Sequence, residues 1–267
     1  MPFIDVRDLS VYYELHGSGT RVLWINGTGG DLRQNPMRGN GPLEQHHEVL
    51  MYDQRGLGQT SKPDVDYTMA DYADDAAALM DALGWDRAHV FGVSFGGMVA
   101  QHVALRHPKR VDRLVLACTS SGGLGGSSFD LASVADLPTE ERLRIVLPVF
   151  DSRNDPDADP PVHAPQFEWL AEAMAAPALN SDDPDAEMGA RRQLEARSHH
   201  DLWDRVGDIA APTFVLGGRY DRQAPPENVE NLSNAIPGAR LAMFDGGHMF
   251  LLQDPTAWAS IVDFLAE

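Results

Sequence analysis

With 267 residues, 43% of them hydrophobic and 23% charged, the chain has the makeup of a packed protein able to bury one sizeable core, and not that of a disordered or collagen-like one. Forty acidic against 21 basic side chains give a formal charge of -19, which repels phosphate backbones and anionic membrane surfaces and argues against nucleic acid as a partner. A single cysteine, Cys118, excludes an internal disulfide, and with no basic-then-apolar leader and no run near the ~20 apolar residues of a membrane span, the expectation is a cytoplasmic protein.

Strand patterning comes first, with apolar and polar residues alternating over 3–6, 9–15, 22–25 and 49–52. From Met69 the period turns helical, carried by Tyr72, Ala76, Leu79, Met80 and Leu83, and Gly84 supplies a stop. Residues 90–93 read as a buried strand, 98–106 as a helix ending before Pro108, and 114–118 as the next strand, in which Cys118 is a packing residue. Strands alternating with helices are the pattern of a parallel sheet with covering helices.

The next strand pattern, 213–217, starts far beyond the dozen or so residues that a parallel crossover requires. The interval holds helical spacing at 140–150, 166–176 and 186–200, broken by the Asp/Pro-rich stretch 151–161. A strand at 240–244 and a closing helix around Trp258, Ile261, Val262 and Leu265 end the chain. The expected architecture is an α/β fold: a mostly parallel twisted sheet, helices on both faces, a core of 1–120 and 206–267, and a helical cap inserted at 121–205.

Gly92-Val93-Ser94-Phe95-Gly96-Gly97 is a G-x-S-x-G motif between a predicted strand and a predicted helix. Glycines at these places allow a turn sharp enough to lift the serine hydroxyl clear of the sheet. The helix that starts beneath it favours negative charge beside an attacked carbonyl, and the Phe95 amide can point at the developing oxyanion.

The elbow resembles that of the α/β-hydrolases, and Asp53-Gln54-Arg55-Gly56-Leu57-Gly58-Gln59-Thr60-Ser61 is similar to their D-x-R-G-x-G-x-S loop. Arg197-Ser198-His199-His200-Asp201 is similar to the segment that ends the cap in enol-lactonase-like and carboxylesterase-like members. In that fold the order is nucleophile, acid, histidine, so with Ser94 as nucleophile the base lies downstream. Of ten histidines only His248 follows Thr213, in the turn Asp245-Gly246-Gly247-His248. The resemblance implies Asp221, just after the strand at 213–217, as the acid; Asp245 is the alternative, expected to point into its own turn. It also implies a second oxyanion amide, that of Thr28, in the loop Asn26-Gly27-Thr28-Gly29-Gly30, where this chain has Asn26 in place of the family's usual histidine. The Asp53–Arg55 loop is expected to be structural, and His46, His47, His199 and His200 to lie at the surface.

The implied reaction is acyl transfer from an ester or lactone to water, with no cofactor and no metal: no histidine has trustworthy metal-ligand spacing with carboxylates. Two other readings use the same fold, a cofactor-free haloperoxidase or perhydrolase sharing the triad, and a ligand receptor without turnover. Charge adds a further expectation. Residues 151–187 carry ten acidic side chains and one basic, a net -9, and a cap built from them would disfavour anionic substrates unless Arg33, Arg38 or Arg219 lines the pocket.

Overall fold

A computed structural model describes residues 2–36, 38–39, 41–158, 162–165, 168, 171 and 182–267. Among them an eight-stranded sheet has the order β1-β2-β4-β3-β5-β6-β7-β8. The strands are β1 (Phe3–Val6), β2 (Leu9–Gly17), β3 (Thr20–Ile25), β4 (His47–Tyr52), β5 (Ala88–Val93), β6 (Val111–Ala117), β7 (Thr213–Gly218) and β8 (Arg240–Phe244). β1 and β2 form an antiparallel edge, with Leu15 opposite Leu50 where β2 joins β4, and every later pairing is parallel.

The period of two along the strands sorts the core into two halves. Leu23, Ile25, Val90, Leu114, Leu116 and Val215 face one layer of helices, α1 (Met69–Ala82), α2 (Phe95–Arg106) and α5 (Pro226–Ala235). Val22, Trp24, Phe91, Val115, Phe214 and Leu216 face α7 (Thr256–Ala266), whose Trp258, Ile261, Phe264 and Leu265 are buried against them. α1 begins at a reciprocal cap in which Thr68 and Asp71 satisfy each other's backbone amides. The helix Pro226–Ala235 was not among the expected elements. Its signal is short: two prolines at its start, then Val229, Leu232 and Ile236 at helical spacing. The helix after the elbow starts at Phe95, a turn earlier than its apolar pattern indicates, because the two glycines dilute that pattern.

Between β6 and β7 the chain forms α3 (Thr139–Phe150) and α4 (Ala186–Ser198). The helix expected over 166–176 lies, apart from Glu168 and Ala171, outside the described residues. A short α6 (Phe250–Gln253) follows β8. β3 lies between β4 and β5 with its carboxyl end beside that of β5, Ile25 opposite Gly92. Such a reversal of strand order opens a crevice beyond the strand ends, where open α/β sheets bind ligands.

The Asp53 loop is a structural brace. Asp53 accepts the amides of Leu32 (2.7 Å) and Gln59 (2.8 Å), and burial raises its pKa to about 6 despite them. Arg55, 3% exposed, is shared between Asp8 and Asp75. Two histidines depart from the surface expectation. His47 is buried with Nδ1 on the Thr20 hydroxyl, and His200 is buried with Nε2 on the Ser120 carbonyl at 3.0 Å. Each pays for its desolvation with a hydrogen bond that a linear pattern does not reveal.

Candidate active site

The turn from β5 to α2 forces Ser94 to φ 56° and ψ -119°, a conformation that non-glycine residues adopt at a cost of about 1–3 kcal/mol. The surroundings hold it there. The Ser94 amide donates to the Ala117 carbonyl at 2.8 Å, and its own carbonyl accepts from Gly97 N, Met98 N and Thr119 Oγ1. Glycine is required on either side by contact: a Cβ on Gly92 would sit 2.3 Å from the Gly96 carbonyl oxygen, and one on Gly96 would sit 2.0 Å from that of Ile25.

Ser94 Oγ is 2.9 Å from His248 Nε2, and His248 Nδ1 is 2.8 Å from Asp221 Oδ2. The other carboxylate oxygen of Asp221 accepts the amides of Gln223 (2.7 Å) and Ala224 (2.9 Å). Both Asp221 oxygens face hydrogen-bond donors, and a carboxylate can only accept, so Nδ1 carries the hydrogen and Nε2 is left to accept from the serine. The loops carrying the two residues are tied together, Arg219 N to Phe244 O at 3.0 Å and Tyr220 N to Gly246 O at 2.9 Å. Asp245, the alternative acid, is exposed and meets Arg153 at 3.4 Å instead.

Phe95 opens α2, where the first amides have no intrahelical acceptor, and its ring is locked edge-on against Tyr72 with centroids 5.0 Å apart. The loop with Thr28 passes along the serine: a Cβ on Gly27 would lie 3.4 Å from Ser94 Cβ and 4.0 Å from its Oγ. Asn26 braces this loop, since its Oδ1 accepts from Asn35 Nδ2 at 3.1 Å and its carbonyl from Gln54 Nε2 at 2.8 Å. Gly29 N donates to Gln193 Oε1 of α4 at 2.8 Å, a contact across 164 residues that no local pattern signals.

These groups open into one cavity of about 650 Å³. Trp24, Val93, Val146, Phe150, Leu251 and Trp258 supply apolar wall, while Asn26, Thr28, Ser94 and His248 supply the polar part. None of the arginines proposed to offset an acidic cap lines it. Arg33 is held by Asp31 and Arg38 by Glu14, and Arg219 donates to the Met243 carbonyl. Arg142 of α3 lines the cavity instead, with no side-chain hydrogen bond or ion pair among the described residues. Cys118 is fully buried, and burial pushes its thiol pKa up, away from reactivity.

Comparison with known proteins agrees with this architecture. Residues 20–255 match the family model of the alpha/beta hydrolase fold. A candidate carbamate hydrolase, RutD, from Variovorax paradoxus is 30% identical over 97% of both chains, and a like-named protein from Azorhizobium caulinodans is 29% identical over 96% of this chain and 94% of its own. The crystal structure of the enol-lactonase from Burkholderia xenovorans LB400 superposes with a TM-score of 0.81 at 26% identity, covering the whole of both chains. Sheet order, elbow and sequence relatives together place this chain in the α/β-hydrolase family.

Proposed function

We propose that the protein is a serine hydrolase that cleaves a carboxylic ester or lactone through an acyl-enzyme, with Ser94 as nucleophile, His248 as general base and Asp221 as the acid that orients it. The observation that carries this reading is the unbroken hydrogen-bonded line from Ser94 Oγ through His248 to Asp221, at 2.9 and 2.8 Å, opening into the cavity. In the acylation step Ser94 Oγ attacks the carbonyl carbon while His248 Nε2 takes its proton. The tetrahedral oxyanion faces the amides of Phe95 and Thr28, and the imidazolium, stabilised by Asp221, returns the proton to the leaving oxygen. Water then enters by the same base catalysis and releases the acid. For a lactone the leaving alcohol stays attached to the acyl chain, and one hydroxy acid leaves.

Residues 121–205 act as the cap in this reading. Leu131, Val134, Arg142, Val146, Phe150 and Leu194, all from that stretch, line the cavity. The names of the sequence relatives favour a second leaving group. A carbamate presents the same attacked carbonyl with nitrogen beside it, and the same groups would protonate that nitrogen.

A fluorophosphonate probe and a panel of p-nitrophenyl esters, lactones and carbamates test the proposal. Stoichiometric labelling at Ser94 with turnover of at least one ester or lactone is the expected result. Labelling elsewhere, or folded protein that neither labels nor hydrolyses, removes the assignment.

A further inference from the structure

Three side-chain groups able to donate a hydrogen bond are buried in the cavity wall without partners: Trp24 Nε1, Asn26 Nδ2 and Thr28 Oγ1. Trp24 and Asn26 are 4% and 8% exposed, and they stand two residues apart, the spacing at which an extended chain presents side chains to one side. The rest of Asn26 is held in place. Its Oδ1 is engaged by Asn35, its carbonyl by Gln54, and Gly30 packs so closely that a Cβ there would fall 2.7 Å from Asn26 Cβ. A buried donor left unbonded is costly, and near a reaction centre a ligand atom is the group that relieves the cost. Among the described residues one carboxylate lines the cavity. Its carboxylate, Asp31, is occupied by Arg33 Nε and Arg33 N, both at 2.9 Å. The unpaired side-chain donors of Trp24, Asn26 and Thr28 therefore call for acceptors, and Arg142 adds a cation of the same preference.

Under the acyl-transfer reading, on which this inference rests, the scissile carbonyl oxygen already faces two backbone amides. The side-chain donors require another oxygen. We infer that Asn26 is a specificity-determining residue whose Nδ2 binds a second acceptor oxygen of the acyl group. The preferred substrate is an oxygenated acyl compound, with a keto, ether or carboxylate oxygen a few atoms from the scissile carbonyl. A plain alkanoyl ester leaves the donor unpaired and is the poorer substrate.

The test compares p-nitrophenyl butanoate, 3-oxobutanoate and hemisuccinate, each corrected for its enzyme-free rate in the same buffer, in the wild type, N26D and N26A. N26D keeps the shape of the side chain and the acceptor for Asn35 but puts an acceptor where Nδ2 stands. Expected is a wild-type kcat/KM ratio of oxygenated to plain ester that drops by about fivefold or more in both variants, the worth of one hydrogen bond. A 3-oxobutanoate preference identifies a neutral acceptor, and a hemisuccinate preference identifies an anion assisted by Arg142. An unchanged ratio in variants with wild-type Tm, or a wild type without preference, overturns the inference. If no ester is hydrolysed at all, it is the acyl-transfer reading that fails. Binding then decides the role of Asn26: methyl 3-oxobutanoate, followed by the fluorescence of the cavity tryptophans, must bind the wild type more tightly than methyl butanoate and must lose that advantage in N26D, and equal affinities overturn it.

Discussion

The His248 backbone amide donates to the Phe150 carbonyl at 2.5 Å, and the two rings meet edge to face with centroids 5.0 Å apart. α3, which lies between β6 and β7, thus ends on the residue that would act as base, and the inserted segment fixes the imidazole as well as lining the cavity. Phe150→Ala keeps the main-chain bond and removes the ring contact, worth about 0.5–1.5 kcal/mol. A fall in kcat of roughly two- to tenfold is expected from that range. Steady-state kinetics on a p-nitrophenyl ester, with Tm recorded alongside, checks it; a loss beyond a thousandfold would mean that Phe150 does more than position the ring.

Asp221 and Asp245 separate cleanly by substitution. Asp221→Asn retains the shape but presents an amide to Nδ1, favouring the wrong tautomer, and a loss in kcat of about 10⁴ is expected by analogy with other triads. Asp245→Asn removes only an exposed charge beside Arg153 and should leave kcat within about twofold, as surface ion pairs contribute little. A large effect of the second substitution would reverse the assignment of the acid.

Thr28 is expected to act through its backbone amide. Thr28→Val preserves the branched shape and removes the buried hydroxyl, so a loss of at most about tenfold is expected, against ~10²–10³ for removal of an oxyanion donor. A loss of the larger size at unchanged Tm would place Oγ1 itself on the oxyanion.

The pair of half-buried His102 and buried His200 predicts acid sensitivity. The Ser120 carbonyl can only accept, so His200 carries its hydrogen on Nε2 and accepts at Nδ1 from His102 Nε2, 3.3 Å away. Burial lowers the pKa of His200 from 6.5 to about 4 and that of His102 to about 3. The unfolded chain therefore takes up protons that the folded one refuses, and stability that is full above pH 6.5 is lost as pH falls towards 4. For His200 the loss is at most about 3 kcal/mol. His200→Gln should flatten the slope of Tm against pH between 6.5 and 4, and a slope equal to that of the wild type would assign the acid sensitivity to other groups.

Much of this molecule is legible in one dimension. The alternation of Val22, Leu23, Trp24 and Ile25 gives a strand buried on both faces, because side chains leave a strand to opposite sides and each side here meets a helix layer. Gly92, Ser94 and Gly96 name the elbow, since only glycine tolerates the 2.3 and 2.0 Å approaches that the turn imposes. The proposal of His248 follows from the chain order of the fold that the elbow resembles, since it is the one histidine after Thr213. The helix Pro226–Ala235 was harder to see because ten residues hold few apolar periods, and the burial of His47 and His200 because their partners, Thr20 and Ser120, lie on distant strands or loops.

By itself, then, the sequence determined most of the strands and helices and the elbow, which depend on local spacing and backbone sterics, while the chain order of the fold it resembles pointed to the residues proposed for acyl transfer. The tertiary structure decided what depends on contacts between segments far apart in the chain. It aims the Asp221 carboxylate at His248 and that of Asp245 at Arg153. It brought Gln193 to Gly29 and Phe150 to His248, and it put Arg142 on the cavity wall while pairing Arg33 and Arg38 elsewhere. It also left Asn26 Nδ2 buried without a partner in a residue that lines the cavity, since whether a donor is paired depends on every segment that closes around it, and no single segment encodes that.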